Sequence, residues 1–470
     1  MTLSLVVLVI TLYVAFVLLI SAFVSRRATA STFFVGDRNQ SVWVVTLAMI
    51  SAAMSGVTYV SVPGMVLQQG FTYLQMALGF VVGQAVIAFV LVPLYYHLGV
   101  TSVYEYLESR FDLATRRCGA MLFFVGKLLS TAVRVMLVCA VMQTLMMDAL
   151  GVPFGLNVAL TMAVAWLLTM RGGVKSVVWT DVFKTLVLVG SIVGVAIVAA
   201  RGVGASLWQI VADGVGQKPI IDTDVTSPTF VVKHFVAGVL VVVAMTGLDQ
   251  DMMQRTLSCR TRTEAQRNVM ISGVLQLVVI AMMLALGVVL ERYAVEILPS
   301  GEIRGDELFL SVACAPTMPA VAGVLFVLGV VASSLSSAGS AVTALTTSLV
   351  YDLGGGDVRR RRVVLPLVAG LIVALAVVLR AVADGSAIDL VFRLAAYTYG
   401  PILGLFAFGV LTRRRPSPVA TCLMAVVAPL LTLLVDHFTP VLCGGYRFGH
   451  DILAVNGLIM FVGIDRKSVL

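Results

Sequence analysis

The sequence predicts an all-α polytopic membrane protein. Of its 470 residues, 60% are hydrophobic and only 12% are charged, and the mean hydropathy is +1.03. A soluble globular chain carries about 25% charged residues. Uncharged runs long enough to cross a bilayer recur along the chain, and an α-helix satisfies all the backbone polar groups of such a run internally. We therefore expect a single transmembrane domain over residues 1–470.

The uncharged runs predict thirteen transmembrane helices. The first run is followed by Arg26 and Arg27 and has no charged segment before it, which favours a retained helix over a cleaved signal peptide. The last run is short enough to be a partial span. The expected bounds are about 4–24, 41–67, 72–96, 118–147, 154–171, 177–200, 232–251, 268–290, 317–350, 363–383, 389–412, 417–436 and 452–464.

Basic residues cluster in alternate loops, which explains the net charge of +8 without a nucleic-acid partner. This distribution is the positive-inside pattern, and it predicts an outer N-terminus and a cytoplasmic C-terminus. The partners that we expect are a small-molecule solute and the lipid bilayer, with no obligate protein partner. The clusters are Arg26–Arg27, Arg110 with Arg116–Arg117, Arg255 with Arg260 and Arg262, Arg359–Arg362, and Arg413–Arg415.

Two of the predicted spans are interrupted. The second contains small and polar residues at Ser51–Gly56, which weaken a helix at mid-membrane. The seventh has only 15 residues between Lys233 and Asp249, with Thr246-Gly247 near its end. Spans 2–6 and 7–11 form two groups of five, so the second group enters the membrane in the opposite sense. Interrupted spans at matching positions of inverted repeats indicate the central site of a transporter.

A row of serines lies in a 44-residue run without charge, Leu308–Tyr351. Ser333, Ser336, Ser337 and Ser340 have the spacing i, i+3, i+4 and i+7, so they share one face of a helix. Hydroxyl oxygens at membrane depth can bind a small hard cation. The alternative is that small hydroxylated residues let two membrane helices pack closely.

Other function classes find no support in the sequence. It contains no phosphate-binding loop of the Walker type, which disfavours ATP-driven transport. It contains no arrangement of nucleophile and base, so we do not expect an enzyme.

Five segments together resemble the solute:sodium symporter family, over about residues 30–415. The resemblance implies a leucine-transporter (LeuT-like) core of five plus five helices. It divides the chain into an extra N-terminal helix (4–38), a first repeat (39–201), a second repeat (232–415) and extra C-terminal helices (416–470). The segments are Thr101–Phe111, Gly172–Asp181, Asp249-Gln250 with Gln254-Arg255, the serine helix ending at Asp352, and Gly400–Gly404.

The resemblance also implies a sodium site. The carbonyls of Ser51 and Met54 would face the hydroxyls of Ser336 and Ser337, and Ser333 would add one oxygen. Some relatives bind a second sodium ion through an aspartate at the position of Asp181 and through serines of the serine helix, here Ser336 and Ser340. Gly339, however, stands where those relatives carry a serine. The alternative for Asp181 is an ion pair with Lys184 or Lys175, and one or two sodium ions are expected accordingly.

The substrate is expected beside the break in the second span, near Ser55, Thr58, Tyr73, Gln75 and Arg134. An arginine is expensive inside a span and usually has a partner. Arg134 is either a bidentate clamp for a substrate carboxylate, or paired internally with Asp181, Asp249 or Asp251, or extended toward an interface.

The sialic-acid branch of the family has an arginine in the span that contains Arg134. In a gapless comparison that position is Ser130, one turn earlier, and Ala53 and Ala77 replace a threonine and a glutamine of that branch. We expect Lys127 to extend toward an interface, and Tyr399 to pack between helices or to gate the path.

These observations predict a secondary-active Na⁺-coupled symporter in a bacterial inner (plasma) membrane. It would import a small polar organic solute, such as a sugar, sialic acid or another carboxylate, by alternating access. One alternative is a proton-coupled transporter of the same fold, for which only Asp181 is placed as a titratable group. Another is a membrane sensor that does not transport.

Overall fold

The computed structural model describes residues 3–297, 305–382, 387–442, 446 and 448–465. Helices make up the fold of these residues, and an isolated backbone bridge pairs Gln40 with Cys259. Nine helices of the described part are long and apolar enough to cross a membrane. They are Leu3–Val24, Tyr73–Leu98, Leu113–Met147, Val174–Val203, Arg262–Ile297, Ala320–Leu353, Val358–Ala381, Arg393–Leu411 and Pro418–Leu442.

Two further spans are bent pairs of helices, as the sequence predicts. Val42–Ala53 and Gly56–Gln69 meet at 65°, and we call them the first broken span. Val231–Gly247 and Gln250–Thr256 meet at 71° and form the second broken span. The second broken span extends to Thr256, beyond the end expected at residue 251. It can do so because Asp251 and Arg255 are buried inside the bundle rather than exposed at its edge.

By length and composition, the nine helices and the two broken spans give up to eleven candidate spans within the described residues. Two shorter apolar helices, Phe154–Thr169 and Ile452–Gly463, lie where the fifth and the thirteenth spans were expected. The count of thirteen therefore stays a prediction, as do the boundaries of the two repeats. The segment that joins Val174–Val203 to Val231–Gly247 contains one helix, Leu207–Gln217.

The helix that carries the serine row, Ala320–Leu353, lies at the centre of the bundle and is called the serine helix below. Of the residues in its most apolar window, 67% are buried, compared with 17% for Leu3–Val24 and 22% for Pro418–Leu442. The serine helix packs against both halves of the first broken span and against Leu113–Met142. This arrangement places its row of hydroxyls against the first break, while Leu3–Val24 and Pro418–Leu442 lie at the periphery of the bundle.

Candidate functional site

The first break leaves backbone polar groups without helical partners. The helix ends at Ala53, Met54 leaves the helical region with φ −93° and ψ 80°, and a new helix begins at Gly56. The Ser55 hydroxyl accepts a hydrogen bond from the Thr58 backbone N–H at 3.3 Å and so caps the second half. The last carbonyls of the first half have no N–H donor within their own helix. Because helix dipoles add to this effect, the first half presents a partial negative charge at the break.

Three buried hydroxyls near this break have no hydrogen-bond partner among the described residues: Ser51, Ser336 and Ser337. Ser333 donates to the carbonyls of Gly329 and Val330, at 2.8 and 3.0 Å, so its oxygen can still accept or coordinate. A Cβ placed on Gly56 would lie 3.4 Å from the Ser333 hydroxyl oxygen, which shows how closely the serine helix approaches the break.

Unpaired hydroxyls and helix-terminal carbonyls are the ligands that a hard cation such as Na⁺ prefers. A buried polar group without a partner carries a cost of about 1–3 kcal/mol, which an ion coordinated by these oxygens would offset. The residues therefore fit a sodium ion. The ligand set of Ser51, Met54, Ser333, Ser336 and Ser337 nevertheless stays a prediction.

The surroundings of Asp181 match its ion-pair alternative. One of its oxygens accepts from Lys184 at 3.0 Å and the other from Arg255 at 2.9 Å, and its side chain is fully buried. Lys175 pairs with Asp37 instead. Ser340 donates to Asp251 at 3.0 Å. The second sodium site at Asp181, Ser336 and Ser340 stays a prediction to which these contacts lend no support.

The second break is satisfied by the protein itself. The carbonyls of Gly247 and Leu248 accept hydrogen bonds from the hydroxyls of Tyr95 and Tyr104, at 3.0 and 2.9 Å. Asp249 accepts from the Met252 backbone N–H at 3.2 Å and caps the half-helix that follows. At this break the protein itself supplies the hydrogen-bond donors, so the free carbonyls need no ion or ligand.

A chain of buried charges starts at the second break. Lys127 pairs with Asp249 at 3.0 Å and with Asp251 at 2.8 Å. Arg255 then joins Asp251, at 2.6 Å, to Asp181. The expectation that Lys127 extends toward an interface is wrong, because two carboxylates hold its ammonium group inside the bundle.

A cavity lies between the two breaks, and it contains most of the predicted substrate residues. Ser55, Thr58, Tyr73 and Arg134 line it. Gln75 does not line it, because its amide turns back and donates to the Thr72 carbonyl at 3.1 Å. Other lining residues were not predicted at the substrate, among them Phe80, Lys127, Ser130, Thr246, Asp249, Met252 and Gln276, and Tyr399, a predicted packing or gating residue, lines the cavity as well.

Arg134 forms no ion pair among the described residues, and its Nε atom is buried without a hydrogen-bond partner. The aspartates that were its expected internal partners are held by Lys127, Lys184 and Arg255. The Tyr399 hydroxyl donates to Asp249 at 2.5 Å, so this tyrosine also belongs to the cavity wall. The internal-pair alternative for Arg134 is therefore not what the structure shows, and its guanidinium group faces the cavity.

The spacing of Lys127, Ser130 and Arg134 could have predicted that these residues line one wall of the cavity. Positions i, i+3 and i+7 share one helical face, and all three residues line the cavity. The sequence could not indicate that Lys127 would find its partners on a different span.

The family model of the sodium:solute symporter family matches residues 33–424. The chain belongs to this family. The multi-pass membrane character and the sodium coupling that the family's name states agree with the broken spans and the serine helix.

Curated relatives include transporters of several solutes. The human sodium/iodide cotransporter is 28% identical over 82% of this chain, and the sodium/sialic acid symporter SiaT of Proteus mirabilis (strain HI4320) is 24% identical over 91%. The mouse sodium-coupled monocarboxylate transporter 1 is 28% identical over 82%. The matched region spans 61% of the human relative and 65% of the mouse relative, but 88% of SiaT.

Solved structures share the fold. A Na⁺-coupled sialic acid symporter in a substrate-bound, outward-open state superposes with a TM-score of 0.82 at 18% identity, covering 99% of this chain and 97% of its own. Mhp1, a nucleobase-cation symporter, reaches 0.61 at 13% identity, covering 93% and 94%. The LeuT-like fold class is thus confirmed.

Proposed function

We propose that this protein imports a small organic anion together with Na⁺ by alternating access. The observation that carries the sodium half is the set of three unpartnered buried hydroxyls, Ser51, Ser336 and Ser337, beside an interrupted helix. Because this site lies next to the cavity, an ion bound there fixes the first break in one conformation. The ion then favours the state that holds the solute better, and the solute favours the ion in return.

The charges around the cavity support an anionic solute. Lys127, Lys184, Arg255 and Arg134 are four basic groups in and behind its wall, and they face three carboxylates, Asp181, Asp249 and Asp251. The three carboxylates are fully used by the first three bases. Arg134 forms no ion pair within the described residues, and an entering anion would supply its partner.

The named solutes of the relatives agree with this charge. Iodide, monocarboxylates and sialic acid, which appear in the names of three relatives, are all negatively charged. Among sugars, sialic acid and other carboxylates, the surplus charge at Arg134 therefore favours the carboxylates. Ser130 lines the cavity one turn from Arg134 and offers a hydroxyl to the same ligand.

A single sodium ion per cycle fits the contacts better than two. Both oxygens of Asp181 are bonded to Lys184 and Arg255, and these two positive charges offset the negative charge that would attract a second cation. The same bonds disfavour proton coupling through Asp181. We place the protein in a bacterial inner membrane, with its N-terminus outside and its C-terminus in the cytoplasm.

Uptake by the purified protein in proteoliposomes tests the proposal. Labelled iodide, lactate, sialic acid and glucose are offered with an inward sodium gradient, with equal sodium on both sides, and with a proton gradient in sodium-free buffer. We expect accumulation of at least one anion under the sodium gradient alone. Accumulation under the proton gradient would favour the proton-coupled alternative, and specific binding of one of these solutes without any uptake would favour the sensor.

Arg134→Gln tests the role of the unpaired arginine. Removal of the positive charge should abolish stabilisation by the anion while leaving stabilisation by sodium within about twofold. The control is Arg134→Lys, which keeps the charge but loses the bidentate geometry and should retain part of the affinity. The measurement is the thermal midpoint of the purified protein in sodium buffer, and an unchanged response of Arg134→Gln to the anion would refute the clamp.

A further inference from the structure

A second cavity, which shares no lining residue with the first, lies where three membrane helices end at the same face. It has a volume of about 500 Å³. Its walls come from the chain just after Leu3–Val24, from the end of Phe154–Thr169 and from the start of Arg361–Val382. These three ends coincide with the loops that the positive-inside pattern assigns to the cytoplasm. The lining residues are Ser25, Arg26, Ala28, Phe33, Trp166, Met170, Arg171, Arg361, Arg362 and Leu365.

Four arginines line this cavity, and no acidic residue does. Within the described residues, none of Arg26, Arg171, Arg361 and Arg362 forms an ion pair, whereas the neighbouring Lys175 and Arg360 pair with Asp37 and Asp357. Arg26, Arg171 and Arg362 are exposed and Arg361 is half-buried, so the cavity presents a positive potential that attracts an anion.

Arg361 gives the sharpest sign of a missing partner. Its Nη1 atom is buried and has no hydrogen-bond acceptor among the described residues. The guanidinium group lies over the ring of Phe33, with its carbon 4.9 Å from the ring centroid, so one face is covered and its edge remains to donate. A guanidinium nitrogen that is shielded from water and unpaired is costly, and an anionic oxygen would remove that cost.

The other walls of the cavity are apolar and continue into the lipid-facing surface. Phe33 and Leu365 are buried, and Trp166 and Met170 are half-buried. Leu167, Val363 and Leu367, on the same two helices, are 43%, 69% and 53% exposed, as expected for side chains that contact acyl chains. An anion that sits among the arginines can therefore remain attached to hydrocarbon that lies along these helices.

We propose that this cavity binds the phosphate headgroup of an anionic phospholipid of the inner leaflet, with the acyl chains lying against the exposed apolar residues of Phe154–Thr169 and Arg361–Val382. Basic pockets between helices on the cytoplasmic side are suited to such headgroups. The bound lipid joins the N-terminal helix, which packs against the core through few buried residues, to the helix that follows the serine helix. The site is independent of the proposed transport function.

Thermal stabilisation by lipid tests this proposal. The purified protein in neutral detergent is titrated with phosphatidylglycerol, with phosphatidylcholine and with inorganic phosphate, and the thermal midpoint is recorded. We expect phosphatidylglycerol to raise the midpoint in a saturable manner, and phosphatidylcholine to leave it nearly unchanged. Arg361→Gln with Arg362→Gln should weaken the apparent affinity about thirtyfold, because each basic side chain near an anionic surface contributes about a fivefold factor.

The matched control is Arg413→Gln with Arg415→Gln, which removes the same charge from another predicted inner loop whose arginines do not line the cavity. This variant should respond to phosphatidylglycerol like the parent protein. Equal weakening in both variants would overturn the proposal in favour of a diffuse surface charge effect. An equal response to inorganic phosphate would also overturn it, in favour of a soluble anion.

A second pair of variants keeps the test decisive if the first does not fold. Arg26 and Arg171 are exposed and lie on other segments of the same cavity, so Arg26→Gln with Arg171→Gln should fold and should weaken the response to phosphatidylglycerol by a similar factor. An unchanged response in this variant would refute a shared headgroup site.

Discussion

The break at Met54–Ser55 and the break at Leu248–Asp249 have similar bends, 65° and 71°, but opposite hydrogen bonding. At the second break, tyrosine hydroxyls satisfy the carbonyls, and Lys127 neutralises the carboxylate. At the first, buried serine hydroxyls face the break without partners. An interrupted helix is therefore not in itself an ion site. An interrupted helix can bind an ion where the surrounding residues offer oxygen ligands and no hydrogen-bond donor satisfies the free carbonyls.

This difference in hydrogen bonding indicates different roles for the two breaks. On the proposed function, the first break is completed by a sodium ion that binds and leaves, so its conformation would depend on that ion. The second is completed by fixed residues of neighbouring helices, Tyr95, Tyr104 and Lys127, and it holds the opposite wall of the cavity in place.

The largest expected effect comes from removing the fixed partner of the second break. Lys127→Met leaves Asp249 and Asp251 without their shared ammonium group inside the bundle, which should cost about 3 kcal/mol or more of stability. The thermal midpoint of the purified protein measures this loss. Adding Asp249→Asn to Lys127→Met should recover part of the midpoint, since one uncompensated charge is removed and the capping oxygen is kept. A midpoint that Lys127→Met leaves unchanged would contradict the assignment.

A smaller effect on stability, with a large effect on sodium, is expected at the first break. Ser336→Ala with Ser337→Ala removes two oxygens that have no protein partner, so the fold should lose little. The sodium concentration for half-maximal thermal stabilisation should rise at least about tenfold, which corresponds to ~1.4 kcal/mol.

Ser334→Ala is the matched control for the serine pair. Ser334 is also buried, and its hydroxyl has no partner among the described residues, but it lies outside the row of Ser333, Ser336, Ser337 and Ser340 and lines an apolar groove together with Met142 and Met146. Its replacement should leave the sodium response unchanged. An equal loss in both variants would mean that helix packing, rather than ion binding, explains the serines.

The smallest effect is expected from single tyrosine hydroxyls. Tyr95→Phe or Tyr104→Phe removes one donor to a carbonyl at the second break and should cost about 1 kcal/mol each. The sodium response should stay within about twofold of the parent protein. A tenfold change in that response would show that the two breaks are not as separate as their hydrogen bonds indicate.

Features that depend on local composition could be predicted from the sequence. The interruption at Ser51–Gly56 and the short run that ends at Asp249 both mark real breaks, because small, polar and charged residues weaken a helix wherever it lies. The serine row could be placed on one face, because helical periodicity fixes it. Ser55, Thr58, Tyr73 and Arg134 were expected near the first break, and all four line the cavity.

Pairings between distant spans could not be predicted in the same way. Lys127 and Asp249 are 122 positions apart, and nothing local distinguishes a buried lysine with a partner from one that extends to an interface. Tyr399 reaches Asp249 over 150 positions. Gln75 was expected at the substrate, but its amide donates to the Thr72 carbonyl of the preceding turn. The direction of this side chain depends on its rotamer, which the sequence pattern does not give.

The bonds of Asp181 have a consequence for energy conversion. The positive charges that pair with Asp181 are those of Lys184 and Arg255, which are part of the protein, so these charges are not transported across the membrane. One sodium ion that travels with one monovalent anion moves no net charge, and the membrane voltage, worth about 2.3 kcal/mol per charge at 100 mV, then contributes nothing to accumulation. At the proposed ratio of one sodium ion to one monovalent anion, uptake would be electroneutral and driven by the sodium concentration ratio alone, and a diffusion potential imposed with valinomycin would leave its rate unchanged.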